Sequence, residues 1–457
     1  MKKTNALLAA AFIFLFCLGC SSSDADKQTG KETFPPEKQT PLYKKGLILP
    51  QNSLECVPVS TGVAQKNCNH HGSTVAELPD GTMAAVWYHG EFEKSLDSRI
   101  VWSKKAPGTD EWTWPEVLYD DPERSDGNPA VWLNEKGELY VFFPTIFGDG
   151  WDGCKIRMIK SLDLGKTWGE PVFLRESYCW NARHRPARMP NGDLLLPLYN
   201  ECLALPVFMR SSDDLKTWTE EGTLTSAEFM DRVSEIQPSI VVLDDGTVSV
   251  MTRDGSAAHR IKRMTSADDG KTFGKMALTG LPNPGSSMDQ VKLLDGHVVV
   301  VFNNNPNDRW PLSVALSLDG GATFVAIRDI NADCPVAGQC SWAYPSIAQN
   351  THDGTVWVTY THNRETIGWV QFNEAWLAAG GEQSLIKCTT TEECYENECL
   401  DKCSVDGDCP DETQSCMGGY CRVKCASGAD CPAGYSCETD TCKIIIDPKR
   451  VDQKCSK

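Results

Sequence analysis

Five arginines, one tyrosine and a set of carboxylates recur at matching places along this chain. Arg183, Arg185, Arg253, Arg309 and Arg364 each stand just before or just after an apolar run of strand character, as do Asn128, Glu201, Gln237, Asp289 and Tyr344. A guanidinium keeps its charge at any ordinary pH and meets a carboxylate with a bidentate fork. Several of them gathered in one concavity call for an anionic ligand. A phenol with a pKa of about 10 becomes a nucleophile only beside a base or a cation, which turns attention to what surrounds Tyr344. Asp97, Glu201, Glu235 and Asp289 are the acids within reach of such a role, whereas the amide of Gln237 cannot be a base. His71, in Asn69-His70-His71-Gly72-Ser73, adds an imidazole. Together with Arg253 and Tyr344 it would suit elimination from a uronic acid, which needs a cation for the carboxylate, a base at the acidic carbon and an acid for the leaving oxygen.

Two repeated turns say how these residues are positioned. Gly81, Gly137, Gly192, Gly246, Gly296 and Gly354 close six tight turns 50 to 58 residues apart, flanked by runs such as STVAEL/TMAAVW and PSIVVL/TVSVM. Such flanks read as paired strands. A second pattern, Ser-x-Asp-x-Gly-x-Thr-aromatic, appears as SLDLGKTW (161–168), SADDGKTF (266–273) and SLDGGATF (317–324), with a copy lacking the glycine at 211–218 and an eroded one at 103–114. Its Ser and Asp satisfy turn amides and its Gly supplies positive φ. Two hairpins per repeat make a four-stranded blade, and six repeats make an all-β, six-bladed β-propeller over 46–377, with the segment 46–60 expected to supply a closing strand. The start of each innermost strand and the loop leaving the second strand then feed one mouth, and the polar residues above fall at those two places. They could equally be solvated loop ends taken one at a time; it is their recurrence that marks a site.

Composition frames this reading. The 457 residues carry a net charge of −18, which argues against nucleic acid as a partner. Twenty-one cysteines indicate an oxidising compartment. Lys2 and Lys3 precede an apolar run from Ala6 to Leu18, shorter than the roughly 20 residues of a spanning helix and therefore read as a signal peptide over 1–19. Gly19-Cys20 followed by Ser-Ser-Ser-Asp resembles a bacterial lipobox, so Cys20 is the expected lipid-bearing residue and 20–45 a tether. The chain would then be exported to the outer membrane or cell surface and touch the membrane only through that anchor. Residues 385–457 hold twelve cysteines, with KCSVDGDCP (402–410) recurring as KCASGADCP (424–432), and read as a disulfide-rich tail. Within the propeller, Cys56–Cys68 and Cys334–Cys340 suggest loop staples and Cys154–Cys179 a third bridge, leaving Cys202 odd. No metal centre or cofactor is expected, although calcium held by loop carbonyls stays open.

From about residue 69 to 377 the chain resembles the sialidase (neuraminidase) superfamily, closest to its branch of BNR, or Asp-box, repeat proteins. The stretches HGSTVAELPDGT (71–82), IQPSIVVLDDGTV (236–248), LPNPGSSMDQVKLLDG (281–296) and YPSIAQNTHDGTVWVTYTHNR (344–364) carry the likeness. The resemblance implies an exo-acting glycoside hydrolase releasing a terminal acidic sugar, sialic acid, from glycans, with Tyr344 as nucleophile, Asp97 as acid/base, and Arg253 and Arg309 on the sugar carboxylate. Two departures stand out. His70-His71-Gly72-Ser73 replaces the family's first-blade Arg-Ile-Pro, and only a protonated imidazole could partly supply that charge. The glutamate that should activate the tyrosine falls on Gln237, with Glu235 two residues earlier on the same face of a regular strand. A uronate lyase and a non-catalytic glycan-binding lipoprotein are therefore the alternatives.

Overall fold

The computed structural model describes residues 35–221, 234–256, 258–335 and 338–379, and the backbone of eight short strands between 386 and 456. The leader, most of the tether, Cys20 and the side-chain pairing of the tail cysteines lie outside the described residues. Among those described, no helix is long and apolar enough to cross a membrane.

Six sheets of successive strands form a β-propeller. The innermost strands are Asn69–Glu77 in blade 1, Ala130–Leu133 in blade 2, Trp180–Ala182 with Ala187–Arg188 in blade 3, Glu235–Val242 in blade 4, Asp289–Lys292 in blade 5 and Trp342–Gln349 in blade 6. Each pairs antiparallel with the next strand outward, which is almost wholly buried: Met83–Gly90 and Leu139–Ile146 are buried at every position. Strands buried on both faces need partners on both sides, and a ring of blades provides them. The core is accordingly divided into six clusters, one between each pair of neighbouring blades.

The ring closes through Tyr43–Leu47, which pairs with Thr366–Phe372 as the outermost strand of blade 6. This strand begins three residues before the expected propeller boundary, because Asn373 holds the residues just ahead of it. The Asn373 side chain donates to Thr40 O at 2.7 Å, and its Oδ1 accepts from Leu42 N and Trp376 N at 3.0 Å, capping the short helix Glu374–Ala378.

The Asp-box hairpins turn at the end of the blades opposite the mouth. In blade 2, Ser161 Oγ accepts from Gly165 N and Asp163 accepts from both Thr167 N and Thr167 Oγ1, at 2.7–2.8 Å. The same bonds recur around Asp213, Asp268 and Asp319. Two successive left-handed residues make each turn, Leu164-Gly165 in blade 2 and Asp214-Leu215 in blade 3. The box aromatics reach the preceding blade: Trp168 packs edge-on against Trp102, and Phe273 stacks on Phe208. The boxes therefore glue blades together.

In the tail, three hairpins place Cys394 opposite Cys399, Cys416 opposite Cys421 and Cys437 opposite Cys442 in backbone register, in step with the sequence repeat.

Candidate functional site

Three innermost strands carry a β-bulge at the mouth. The register slips between His71 and Thr74 in blade 1, Ile236 and Ser239 in blade 4, and Ala343 and Ser346 in blade 6. At each slip one residue is left-handed: Gly72 at φ 65°, Gln237 at 56° and Tyr344 at 51°. A glycine accepts this freely, whereas a glutamine or a tyrosine holds it at a cost of order 1–3 kcal/mol. The return is direction. A bulge turns a side chain that would lie between blades into the mouth. Gly72 has a further reason to be glycine, since a Cβ there would lie 3.0 Å from Asn128 Oδ1 and from a ring carbon of Tyr88.

Tyr344 is the centre of what results. Its hydroxyl accepts from Arg253 Nη1 at 2.9 Å and from Gln237 Nε2 at 3.3 Å. The guanidiniums of Arg253 and Arg309 lie 5.9 and 5.5 Å from its ring centre, and the His71 ring lies at 4.2 Å. Burial alone would raise the phenol pKa, but Arg253, Arg309 and the Gln237 hydrogen bond outweigh it and hold the group below its usual value. His71 is pushed the other way. Burial, then Arg364, Arg309, Arg183 and Arg253, hold its pKa well below the usual imidazole value, so it stays neutral and cannot replace the missing first-blade cation. Its Nδ1 pairs with Thr361 Oγ1 at 2.8 Å, while its buried Nε2 makes no hydrogen bond among the described residues. Tyr88 Oη, Asn128 Oδ1 and Arg253 Nε, also buried, are likewise unpartnered there. Such a set of unmet polar atoms suits a polar ligand.

The remaining sequence candidates divide. Arg364 is at the mouth, bonded to Glu93 Oε2 at 2.6 Å. Glu201 is also there, half-buried, with Arg253, Asp152 and Glu93 acting on its charge; burial raises its pKa. Its position is fixed by a disulfide that differs from the expected one. Trp180 pairs with Asn200, which brings the flanking Cys179 and Cys202 together as a bridge, and Glu201 N donates to Cys179 O at 2.7 Å. Cys154 begins a central strand, buried and free. The other two bridges, Cys56–Cys68 and Cys334–Cys340, pair as expected.

Arg183, Arg185 and Asp289 lie deeper, as struts across the channel. Arg183 is fully buried and donates to Ser73 O, Tyr344 O, Pro345 O and Ser287 Oγ, tying blades 1, 5 and 6 to blade 3. Arg185 bonds Ile347 O, Gln290 O and Asp289. Asp289 in turn accepts from Ser239, Ser346 and the Ile347 amide. Glu235 leaves the site altogether. The bulge at Gln237 breaks the alternation that would have put both on one face, and Glu235 pairs with Lys262 on the third strand. Asp97 caps its own loop, accepting from Glu91 N at 3.0 Å and Ser95 Oγ at 2.6 Å. That loop delivers Glu93 instead, whose Oε1 accepts from Trp151 Nε1 at 2.9 Å. Glu93, Trp151 and Tyr88 were missed by the sequence reading. Glu93 could have been found as the acid at the middle of the loop that Asp97 marks.

A family model described as BNR repeat-like domain matches residues 81–358. No curated protein matches this chain. Among solved structures, a protein of unknown function from Dyadobacter fermentans is 17% identical, with a TM-score of 0.57 over 71% of this chain and 100% of that one. A Hadza microbial sialidase is 17% identical, with a TM-score of 0.56 over 67% of this chain and 65% of its own. The intramolecular trans-sialidase of Ruminococcus gnavus, solved with oseltamivir carboxylate, is 14% identical, with a TM-score of 0.56 over 67% of this chain and 95% of that one. At these identities the neighbours share the fold. The Asp-box turns and the blades they join extend through the stretch that the family model covers, more than half of the sequence, and the chain belongs to the BNR repeat-like family on a sialidase-type propeller.

Proposed function

We propose that this protein hydrolyses a terminal carboxylate-bearing sugar, sialic acid by likeness to its structural neighbours, from glycans. The observation that carries the reading is the Tyr344 hydroxyl, bonded to Arg253 and held below its usual pKa by Arg253 and Arg309. In place of a glutamate base, two cations make the phenolate accessible, and the same cations suit the sugar carboxylate. Tyr344 attacks the anomeric carbon as the bond to the leaving oxygen breaks. Glu201, whose carboxyl burial keeps protonated to higher pH, is the donor for that oxygen. Water then releases the sugar from Tyr344, with Glu201 taking back a proton.

The neutral His71 with its unpartnered Nε2 beside Tyr344 favours a second reading, β-elimination of a uronate with His71 as base. The two differ in product. The first gives free sialic acid from a sialoglycan; the second gives the ultraviolet absorbance of an unsaturated uronate. Under the first, Tyr344→Phe should lower kcat on a sialoside by about a thousandfold or more while leaving the melting temperature near that of the wild type. No turnover of any sialoside by the wild-type chain, at high enzyme concentration, would sink it. In the cell we place the protein outside the cytoplasm on a lipid anchor at Cys20, with the Cys-rich tail as a spacer; radiolabelled palmitate incorporation lost in Cys20→Ser tests this.

A further inference from the structure

The mouth contains a carboxylate that belongs to the protein. Glu93 stands on the loop between the second and third strands of blade 1, and its Oε2 pairs with Arg364 Nη1 at 2.6 Å. Neither partner is free to drift. Arg364 O accepts from His70 N at 2.9 Å, which fixes its backbone against blade 1. Glu93 is held from the other side by the Trp151 indole, and its loop by the Asp97 cap. The pair is nevertheless reachable from solvent, at 39% and 29% side-chain exposure. It also belongs to the same concavity as Tyr344: Trp151, which holds Glu93, packs edge-on against Tyr88, Tyr88 edge-on against His71, and the His71 ring lies 4.2 Å from that of Tyr344.

We propose that Glu93 is the resident occupant of the anion site, and that the carboxylate of an incoming sugar takes its place on Arg364. The proposal rests on the reading of this mouth as a site for a carboxylate-bearing sugar. Two carboxylates cannot share one guanidinium edge without repulsion, so ligand binding and the Glu93–Arg364 pair compete. The empty site keeps its cation paired, and the ligand binds more weakly than the arginines alone would allow, by the free energy of the contact it must break. Arg364, delivered by blade 6, thereby supplies a cation beside the neutral His71 of blade 1.

The test is a double-mutant cycle on the full chain, read by calorimetric titration with the glycal of N-acetylneuraminic acid, which carries a free carboxylate. Glu93→Gln is nearly isosteric and keeps an oxygen for the Trp151 N–H. It should tighten the glycal about tenfold, and Arg364→Gln should weaken it by a similar factor. In the Arg364→Gln background, Glu93→Gln should change nothing, because the contact being competed for has gone. Unchanged or weaker binding in Glu93→Gln overturns the proposal. So does equal tightening in both backgrounds, which would reflect only the loss of one negative charge from the rim. Failure of the underlying reading looks different: the wild-type chain does not bind the glycal, or Arg253→Met binds it as tightly as the wild type does.

Discussion

The two ends of the blades are both dense in polar side chains, and they use them in opposite ways. At the Asp-box end, four blades make the same bonds from Thr and the turn amides to the box Asp and Ser. Hydrogen bonds from Thr167 and Thr217 hold the carboxyls of Asp163 and Asp213 down to about 2, the mark of acids committed to a turn. At the mouth, the left-handed positions differ from blade to blade: Gly72, Asn128, Gln237 and Tyr344 occupy them in blades 1, 2, 4 and 6. Buried polar atoms there have no partner among the described residues. In a repeat protein, a polar motif repeated residue for residue is spent on the fold, and polar positions whose residues change from blade to blade are held for a ligand.

The arginines sharpen that contrast, since both kinds occur within one channel. Arg183 donates to three backbone carbonyls and a hydroxyl; among the described residues, the tip of Arg253 bonds Tyr344 and Gln237 alone. Arg183→Met should strand those carbonyls in the interior and cost about 3–5 kcal/mol in denaturant unfolding. Arg253→Met should cost little stability and abolish binding of a carboxylate-bearing sugar. A stable Arg183→Met chain that has lost binding would move Arg183 to the ligand side of the comparison.

One cluster at the box end breaks the repetition. Glu374, at the start of the short helix, packs on Asp295 and His297 of the blade 5 turn, with His297 Nδ1 at 2.6 Å from its carboxyl. Burial, the hydrogen bond with Asp295 and the charge of Asp295 raise Glu374 from 4.5 to about 9. A carboxyl whose folded pKa is raised contributes stability that is full below its unfolded value and is lost as pH climbs towards 9. Stability should therefore fall between pH 5 and pH 9 by on the order of 2 kcal/mol. Glu374→Gln, which keeps the neutral form at every pH, should flatten that slope and exceed the wild type at pH 9. An unchanged slope would mean that the carboxyl is ionised in the folded chain.

The blades were legible because both turn motifs are local: their chemistry is completed within eight residues, so spacing alone places them. Tyr344, Arg253 and Arg364 were legible for a related reason, since the start and end of a strand are fixed once the turns are. The sequence misled wherever a single register slip intervened. Glu235 and Gln237 share a face in a regular strand, and the bulge sends one to Lys262 and the other to Tyr344. Arg183 and Arg253 look alike in sequence because burial depth along a channel leaves no local signal. Asp97 and Glu93 share one loop, and which of them caps it depends on the Asp97 bonds to Glu91 N and Ser95 Oγ, a matter of turn geometry that composition does not fix.

The box of blade 3 offers the finest test of the claim that a motif repeated residue for residue is structural, because it keeps the bonds from Leu215 N, Thr217 N and Thr217 Oγ1 and drops the glycine. Leu215 holds the left-handed position at φ 67°, where blades 2, 4 and 5 have glycine. In those blades a Cβ would meet Trp102 at 2.0 Å, Leu195 at 2.5 Å or Met251 at 2.5 Å. In blade 3, the leucine side chain instead fills space in the core between blades 2 and 3, at 8% exposure. Two terms then oppose each other. A non-glycine residue in this conformation costs about 1–2 kcal/mol, and burying the leucine side chain returns about 2–3 kcal/mol. Leu215→Ala loses the second term and keeps the first, and should cost about 3 kcal/mol with its cavity. Leu215→Gly loses both and should cost only about 1–2 kcal/mol. Glycine is thus expected to be more stable than alanine here, by about 1 kcal/mol, the reverse of their order at ordinary strand positions. Urea unfolding of the two variants decides it. If the alanine variant is the more stable, the turn does not require a left-handed residue, and the glycines of the other boxes are there only to clear the neighbouring blade.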